Sequence, residues 1–424
     1  MGVYAVEELQ AARARIDRID AELARLFAER MAAAAEIGAW KRAHGRPVRD
    51  PAREAELLAR NTARIEDPRL RPYFGRLLET LLVESRRWQG EAQADLAPVL
   101  RRGALAEAGA VLPRQGRIFL VTDDGIPAPY VGALAGQCRS CVVYSLPQGE
   151  ASKSPEQLTE LLRAMLAAGL TRSDCVAALG GGVVCDLAGL AAGLYMRGID
   201  CCYFPTSLLA MVDAALGGKT AIDLDGVKNA VGLFRQPRAV VIDPDTLATL
   251  PPRQLANGLA EAVKMALTHD AALFARFEDP AGYGDPEELI AACLKIKSAV
   301  VAADEREAGL RRVLNFGHTL GHGIEAAAEG RLLHGECVAL GMLPMCAPPL
   351  RERLRAVLER LGLPTYVNFH EIDPERVMAA VVHDKKAGPE GCIESVFVPE
   401  PGRFEFQRLT AAELRARLML LAQN

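Results

Sequence analysis

Residues 177–189, AALGGGVVCDLAG, run from an apolar segment through three successive glycines into a second apolar segment. This order predicts a buried strand, a tight turn and the start of a helix. The glycines would let a phosphate approach the backbone, and the helix start would supply amide donors and a positive dipole. A turn with a purely structural role explains the glycines equally well, because the run differs from the usual GxGxxG pattern.

Short apolar runs recur on both sides of this stretch, at residues 117–122, 141–147, 201–206 and 239–244. Strands that alternate with helical segments indicate a parallel sheet built from βαβ units. After about residue 260 the helical periodicity returns. The pattern therefore predicts an α/β domain with a parallel sheet at 99–260, followed by a mainly helical domain at 261–424.

The N-terminal part has a different composition. Residues 6–89 are rich in Ala, Leu, Arg and Glu, which is typical of helices alone. We predict an all-α domain at 1–90 and a linker at 91–98, so the chain as a whole is multidomain.

Arg30 falls on an apolar stripe of the first predicted helix, and the same stripe contains Leu9, Ile16, Leu23 and Ile37. A cation on a buried face is costly unless an anion meets it. The stripe therefore predicts a pocket for a small polyanion. Internal pairing is the alternative, with an acidic side chain such as Asp20, Glu54 or Glu84.

The overall composition excludes several classes of partner. A formal net charge of −4 over 424 residues gives no indication of a nucleic-acid or membrane surface. No apolar run is long enough to span a bilayer, and no signal peptide begins the chain. Most of the ten cysteines lie in apolar segments, and the CxxC at 138–141 has no second CxxC. We predict a cytoplasmic protein without structural disulfides.

Residues 315–336, NFGHTLGHGIEAAAEGRLLHGE, contain three of the seven histidines. His318 and His322 are four residues apart and share one face of a helix, and His334 follows a glycine-containing turn. Together with Glu261 they outline a site for Zn²⁺ or a similar divalent ion. The HxxxH pair by itself fits a capped or core helix equally well.

The N-terminal sequence RARIDRIDAELARLFAERMAAAAEIGAWKRAHGRPVRDPAREAELL, residues 13–58, resembles the all-helical chorismate mutases, and the resemblance extends over about residues 9–89. It implies that cations grip the carboxylates and ether oxygen of chorismate at Arg13, Arg30, Lys41 and Arg53. The remaining polar positions of that family correspond to Asp50, Glu54, Ser85 and Gln89.

The resemblance also implies a mechanism and an assembly. Rearrangement of chorismate to prephenate takes one step and needs no nucleophile, so the site only has to compact the substrate and stabilise developing charge. Lys41 and Gln89 would face the ether oxygen. In this family the helices interlock between two chains, and the residue at Arg13 reaches the partner's site, which implies a homodimer.

Over residues 99–415 a second series of motifs resembles the 3-dehydroquinate synthases, in the order GGGVVxD, YMRG, PTSLLAMVDAALGGKTAID, GVKN, NGLAEAVK, NFGHTLGH, LLHGE and DKK. The resemblance implies an NAD-binding domain at 99–260 and a metal- and substrate-binding domain at 261–424. It also implies conversion of 3-deoxy-D-arabino-heptulosonate 7-phosphate to 3-dehydroquinate plus phosphate. NAD would take a hydride from the substrate and later return it.

The same resemblance assigns roles to individual residues. NAD would be held by Asp123, Glu150, Lys153, Gly180, Gly181, Gly182, Val183, Asp186, Thr206, Ser207, Thr249 and Leu250. Zn²⁺ or Co²⁺ would be held by Glu261, His318 and His334, with His322 a proton-transfer partner and not a ligand. Substrate would be met by Asp213, Lys219, Lys228, Asn229, Lys264, Lys297, Arg311, Asn315 and Lys385. Arg197 matches an arginine donated across a dimer interface. So many cations fit a strongly anionic substrate.

The sequence departs from the synthase pattern at a few places. Cys185 replaces a glycine and Ser207 replaces a threonine, and we expect Cys185 to be a small buried residue. The strands before residue 117 are abbreviated, and the segment 341–354 is shorter than the usual helical pair. These differences affect edge structure more than any named site residue.

A bifunctional enzyme of aromatic amino-acid biosynthesis is the leading hypothesis. A second is that the helical domain is a regulatory module that binds chorismate or prephenate. A third is a related sugar phosphate cyclase that uses an amino analogue of the substrate. Sedoheptulose 7-phosphate is disfavoured, because Asp213, Lys297, Arg311 and Asn315 follow the dehydroquinate pattern.

Overall fold

A computed structural model describes residues 3–43, 50–91, 98–113, 116–225, 227–305, 307, 309–384 and 392–422. The chain divides into two compact units, which we call the helical unit (Met1–Ala97) and the α/β unit (Pro98–Asn424). The boundary between them falls at the end of the predicted linker 91–98. The predicted division at 260/261 falls inside a single helix, Pro252–His269, and stays a prediction.

The helical unit contains three described helices, α1 (Val3–Ala43), α2 (Pro51–Thr62) and α3 (Arg71–Glu91). Helix α2 begins with a strong local signal, because Asp50 precedes Pro51 and its Oδ1 accepts the backbone N–H of Arg53 at 3.1 Å. Helix α3 packs against both α1 and α2. The all-α architecture predicted for this part is confirmed.

The apolar stripe of α1 is not buried within one chain, which corrects the interpretation of that face as core. Leu9, Ile16, Leu23 and Ile37 are each about half exposed. At about 30 Å, α3 is half as long as α1, which spans about 60 Å, so α3 can cover only part of that helix. Within the unit, α3 covers the face of α1 that contains the buried Ala34.

The α/β unit contains a six-stranded sheet in the order β1-β8-β5-β4-β2-β3, and every neighbouring pair is parallel. Its strands are β1 (Val99–Leu100), β2 (Ile118–Asp123), β3 (Cys141–Leu146), β4 (Cys175–Gly180), β5 (Asp200–Pro205) and β8 (Ala239–Ile242). The five predicted apolar runs correspond to β2, β3, β4, β5 and β8. The two-residue β1 fits the abbreviated N-terminal strands.

Helices alternate with these strands and continue after them, as predicted. They are α4 (Ala128–Ala135), α5 (Pro155–Ala167), α6 (Gly182–Leu194), α7 (Pro252–His269), α8 (Ala271–Glu278), α9 (Pro286–Ala303), α10 (His318–Ala328), α11 (His334–Met342), α12 (Pro348–Arg360), α13 (Pro374–Asp384) and α14 (Ala411–Leu418). Helix α6 packs on β4 and β5, while α7 packs against α11, and these two arrangements position the candidate site.

Two antiparallel hairpins complete the α/β unit, β6–β7 (Lys219–Leu224 and Val227–Phe234) and β9–β10 (Cys392–Glu400 and Arg403–Thr410). The first was not predicted, because the apolar stretch at 230–234 does not alternate with polar residues, and most of β7 is exposed. No helix among the described residues is long and apolar enough to cross a membrane. The ten cysteines are all free, which agrees with the prediction that the chain has no structural disulfides.

Candidate active sites

Three side chains from three helices meet in the interior of the α/β unit. Glu261 lies in α7, His318 is the first residue of α10, and His334 is the first residue of α11. One ligand atom from each lies within 4.8 Å of the other two. The structure therefore brings together the set Glu261, His318 and His334 that the sequence indicated, and a carboxylate with two imidazoles is suited to a divalent ion.

The carboxylate of Glu261 lacks the partners that its burial requires. It is fully buried, and neither oxygen accepts a well-directed hydrogen bond from a described residue. The ammonium of Lys264 lies beside Oε2, while Nε2 of His334 and Nε2 of His318 lie 3.4 and 3.7 Å from Oε1. A buried carboxylate with open acceptor sites is costly. A cation held between Glu261 and the two imidazoles would remove that cost.

The two histidines present the same ring nitrogen to Glu261, and each is oriented by its other nitrogen. Nδ1–H of His318 donates to the carbonyl oxygen of Phe316 at 3.1 Å. Nδ1–H of His334 donates to Oε2 of Glu325 at 3.2 Å. Both Nε2 atoms are thereby left as metal-binding lone pairs.

Electrostatics differ between these two rings. Burial and the nearby Lys264 lower the pKa of His318 well below its ordinary value, so this imidazole is neutral as a ligand must be. Burial acts on His334 in the same direction, but the nearby carboxylates of Glu261 and Glu325 raise its pKa to about 10. A bound divalent cation would take the place of that proton.

His322 lies beside this set without belonging to it. Its ring centroid is 5.1 Å from that of His318 and 5.8 Å from that of His334. His322, Glu325 and His334 form a second group with ligand atoms within 4.8 Å of one another. The role of His322 as a proton-transfer partner stays a prediction.

Helix α7 fixes the start of α11 and so the position of His334. The guanidinium of Arg253 donates to both oxygens of Glu336, at 2.7 and 2.8 Å, and Oε2 of Glu336 accepts the backbone N–H of Leu333 at 2.8 Å. One turn after Arg253, Oδ1 of Asn257 accepts the backbone N–H of Gly335 at 2.6 Å. Four positions separate Arg253 from Asn257 and Asn257 from Glu261, so all three lie on one face of α7. This face therefore carries the predicted ligand Glu261 and also holds the start of α11, where the predicted ligand His334 lies.

Replacing Gly335 with Ala should displace His334. A Cβ at this position would lie 2.0 Å from the carbonyl oxygen of Asn257, so α11 would have to move away from α7. We expect Zn²⁺ affinity to fall about 10- to 100-fold, measured by competition with a chromophoric chelator. Gly132→Ala is the matched control, because a Cβ there meets nothing within 4 Å. Equal affinities in the two variants would contradict this account of the α7–α11 contact.

A cluster of buried charges adjoins the metal-ligand set. Asp213, on a short π-helical turn (Ala210–Ala214), contacts the ammonium of Lys297 and lies 3.7 Å from that of Lys264. Burial would raise the pKa of Asp213, but the two ammonium groups hold it well below the ordinary range. Burial lowers the pKa of Lys297. The three side chains form a compact network beside Glu261, and an anionic substrate could share its cations.

The other predicted substrate residues lie around this network. Arg311 donates from Nη2 to the carbonyl oxygen of Gly217 at 3.0 Å, and Nδ2 of Asn315 donates to Oε1 of Glu307 at 2.6 Å. Glu307 also pairs with Lys219. Nζ of Lys228 donates to Oε1 of Glu325 at 2.6 Å.

The structure does not bring Arg197 into this cluster. Arg197 is exposed and lies on a turn in which Met196 and Arg197 both have positive φ, at 50° and 68°. Its side chain shows no contact with the residues above among those described. Lys385 lies outside the described residues.

The glycine-rich stretch forms the strand, turn and helix start that the sequence predicts. Strand β4 ends at Gly180, Gly181 is the N-cap, and α6 begins at Gly182 with Val183 in its first turn. Thr206 and Ser207 follow the neighbouring strand β5, and the N–H of Thr206 donates to the carbonyl oxygen of Gly180 at 3.0 Å. The first turn of α6 thus faces the carboxyl edge of a parallel sheet, where nucleotides bind in such folds.

Charged residues of the predicted NAD set meet at this edge. Nζ of Lys153 donates to Oδ2 of Asp186 at 2.8 Å and also contacts Oδ1 of Asn229. Glu150 Oε1 lies 4.0 Å from the same ammonium. Burial raises the pKa of Asp186 despite this neighbour. A cavity of about 290 Å³ is lined by Glu150, Lys153, Ser154, Asp223 and Asp225, among others.

The remaining predicted NAD residues also lie near strand ends. Asp123 ends β2 and accepts the N–H of Gly125 at 2.9 Å. Thr249 and Leu250 follow β8, with the hydroxyl of Thr249 donating to the carbonyl of Thr246 at 3.1 Å. Cys185 is buried, and burial raises the pKa of its thiol, so it is a packing residue as expected.

In the helical unit, Arg30 and Ser85 face each other from α1 and α3. The guanidinium of Arg30 contacts the hydroxyl of Ser85 and donates to the carbonyl of Leu81 at 3.3 Å. Both of these acceptors are neutral, and partial burial lowers the pKa of Arg30. A half-buried guanidinium held by neutral acceptors is suited to receive a substrate carboxylate.

Glu54 and Arg53 have partners within the helical unit. Glu54 pairs with Arg86 at 2.7 Å, and Arg53 pairs with Glu56 at 2.8 Å on an exposed surface. Asp50 caps α2. Lys41 is half-buried, and the side chain of Gln89 lies outside the described residues.

Arg13 cannot reach the same pocket in one chain. It is exposed on α1, and it precedes Arg30 by 17 positions, which correspond to about 25 Å of helix.

Sequence comparison matches the α/β unit to one family over most of its length. The profiles described as 3-dehydroquinate synthase N-terminal and C-terminal match residues 143–257 and 258–387. A 3-dehydroquinate synthase from Latilactobacillus sakei is 41% identical over 317 residues, covering 72% of this chain and 88% of the relative. A second, from Symbiobacterium thermophilum, is 42% identical over 324 residues, covering 71% of this chain and 90% of the relative.

The chain belongs to the 3-dehydroquinate synthase family. Its N-terminal residues 12–90 match the profile described as chorismate mutase type II. Both resemblances inferred from sequence motifs are thereby confirmed.

Two solved synthase structures share the fold of this 3-dehydroquinate synthase unit. A 2-epi-5-epi-valiolone synthase from Streptomyces hygroscopicus, with NAD⁺ and Zn²⁺ bound, is 29% identical with a TM-score of 0.69. A 2-deoxy-scyllo-inosose synthase complexed with NAD⁺ and Co²⁺ is 25% identical with a TM-score of 0.68. Each alignment covers 76% of this chain and 95% of the other.

Motif reasoning missed several polar residues of the synthase site, namely Arg253, Asn257, Glu307, Glu325 and Glu336. One of them carried a usable signal. Glu325 follows His318 by seven residues and His322 by three, so all three lie on one face of α10. The other four residues bond to backbone groups or side chains, most of which are far away in sequence, and the spacing of a motif does not reveal such contacts.

Proposed function

We propose that this chain catalyses two reactions of aromatic biosynthesis. The α/β unit converts 3-deoxy-D-arabino-heptulosonate 7-phosphate to 3-dehydroquinate and phosphate, and the helical unit converts chorismate to prephenate. The buried, unsatisfied carboxylate of Glu261 between two oriented imidazoles carries the first assignment. The 41–42% identity to 3-dehydroquinate synthases supports this substrate over those of the cyclases that are 25–29% identical.

Metal and NAD both fit the residues present. Glu261, His318 and His334 would hold a Zn²⁺ or Co²⁺ ion, and the glycine turn at 180–182 with Asp186 and Lys153 would hold NAD. When bound, the ion supplies Lewis acidity and the nicotinamide accepts and returns a hydride.

The chain's own residues bind and orient the anionic substrate. Lys264, Lys297 and Arg311 would neutralise its carboxylate and phosphate, and the Asp213 network keeps both lysines in place beside Glu261. His322, next to both metal-ligating imidazoles, would move a proton to or from a substrate hydroxyl. Burial of this region excludes water and strengthens each of these interactions.

The mutase site would be completed by a second copy of the chain. Arg30 and Ser85 meet within one helical unit, whereas Arg13 lies about 25 Å away along the same helix. The half-exposed apolar side chains of α1 give a second α1 a face to pack on. A homodimer would bury this face and carry Arg13 into the partner's site.

Removing the metal should separate the two activities. Incubation with a strong chelator followed by desalting should abolish formation of 3-dehydroquinate, and adding Zn²⁺ or Co²⁺ should restore it. Chorismate loss should continue unchanged, because that rearrangement needs only oriented charges. Both rates are measured on one preparation by absorbance. Synthase activity that survives complete metal removal would contradict the assignment of Glu261, His318 and His334.

A further inference from the structure

Glu325 is a carboxylate outside the predicted ligand set that contacts both a predicted metal ligand and a predicted substrate lysine. It lies on α10 and is only 7% exposed. Its Oε2 accepts Nδ1–H of His334 at 3.2 Å, and its Oε1 accepts Nζ of Lys228 at 2.6 Å.

We infer that Glu325 is a positioning residue that orients His334 as a metal ligand and anchors Lys228 beside the metal centre. This inference rests on the proposed metal site and deepens it. A carboxylate at Nδ1 selects the tautomer with the proton on Nδ1, which leaves the Nε2 lone pair directed toward the ion.

The other reading of Glu325, as a ligand in its own right, is disfavoured by hydrogen bonding. Both oxygens of Glu325 already have good donors, whereas both oxygens of Glu261 have none that is well directed. His334 presents Nε2 to Glu261 and Nδ1 to Glu325, so the two carboxylates lie at opposite nitrogens of one ring. When an ion is bound at Nε2 of His334, Glu325 can still accept the hydrogen bond from Nδ1–H and so fix the orientation of the imidazole.

The two histidine ligands differ in what orients them. His318 donates to a backbone carbonyl, which substitution cannot remove, while His334 depends on a side chain. The orientation of His334 can therefore be tested by mutation.

The contact with Lys228 extends the network to the β6–β7 hairpin. Lys228 lies at the start of β7, and its ammonium is also 3.3 Å from Oε1 of Glu150, in the predicted NAD site. Glu325 thus joins α10 to the hairpin and to the segment before α5. Loss of its charge should loosen Lys228 as well as His334, so that metal affinity and substrate KM change together.

Glu325→Gln and Glu325→Ala in the full-length chain test the inference with Zn²⁺ as the probe. Apparent Zn²⁺ affinity of the metal-free protein is measured by competition with a chromophoric chelator. We expect a fall of about 10- to 100-fold for the Ala variant and a smaller fall for the Gln variant, whose amide oxygen can still accept from Nδ1–H. At saturating Zn²⁺, KM should rise more than kcat falls.

The control is Glu329→Gln, at the residue that follows the last residue of α10, where an exposed carboxylate pairs with Arg376 on the surface. Chorismate turnover by the helical unit confirms that each preparation is active. The near-isosteric Gln variant keeps the test decisive if the Ala variant does not fold. If the wild type binds Zn²⁺ tightly and both Glu325 variants bind it with the same affinity, the role of Glu325 is overturned and the metal site stands. Absence of tight Zn²⁺ binding in the wild type would overturn the metal site and this inference together.

Discussion

Replacing Glu261 with Gln should abolish 3-dehydroquinate formation, with a loss of about 10³-fold or more, and leave chorismate turnover unchanged. The substitution keeps the shape but removes the negative charge that two imidazoles and Lys264 surround. Removing one partner from a buried set of charges also leaves the others uncompensated, so we expect the ammonium of Lys264 to move from its position beside residue 261.

The measurement pairs steady-state synthase kinetics with the bound metal per chain after dialysis against Zn²⁺. We expect less than a tenth of the wild-type metal content in Glu261→Gln. Glu278→Gln is the matched control, because that carboxylate lies on the neighbouring helix α8 and pairs with Arg353 at the surface. Full metal content and activity in Glu261→Gln would show that another group binds the ion.

Replacing Arg30 with Ala should reduce chorismate turnover about 10²- to 10³-fold and leave the synthase activity unchanged. Arg30 is half-buried, and the acceptors that hold its guanidinium, the Leu81 carbonyl and the Ser85 hydroxyl, carry no charge to compensate a substrate carboxylate. Loss of one oriented donor to charge in the transition state has an effect of this size. Arg30→Lys should recover only part of the activity, because an ammonium lacks the two-pronged geometry of a guanidinium.

Arg25→Ala controls for effects on the helix itself. Arg25 lies on α1 a little more than a turn before Arg30 and pairs with Glu22 and Glu29 in solvent. It should leave both activities within about twofold of the wild type, since surface ion pairs of this kind contribute little. Equal losses in Arg25→Ala and Arg30→Ala would mean that helix integrity, and not substrate binding, explains the effect.

The sheet was predictable because its strands are local apolar runs. Runs at 117–122 and 201–206, for example, became β2 and β5, and the glycines at 180–182 became the turn between β4 and α6. The β6–β7 hairpin was not predicted, because the apolar residues at 230–234 of its second strand do not alternate with polar ones and are exposed in the structure. The stripe on α1 was recognised as apolar, but the other described helices of the helical unit are shorter than α1 and leave the stripe about half exposed.

The candidate metal site was only partly accessible from spacing. His318 and His322 share a helix face, yet the residue that completes the set with Glu261 and His318 is His334, from the next helix. Its position depends on how α7 docks against α11. That docking rests on Arg253, Asn257 and Gly335, whose contacts join segments about 80 residues apart. Glu325 was overlooked for a similar reason, since its partner Lys228 lies on a hairpin 97 positions earlier.

The most direct test of two functions in one chain is a single preparation of the full-length protein assayed for both products. We predict that the wild type forms 3-dehydroquinate and prephenate, that Glu261→Gln forms only prephenate, and that Arg30→Ala forms only 3-dehydroquinate. Chorismate that binds the wild type without being converted would contradict this account and make the helical unit a binding module attached to the synthase.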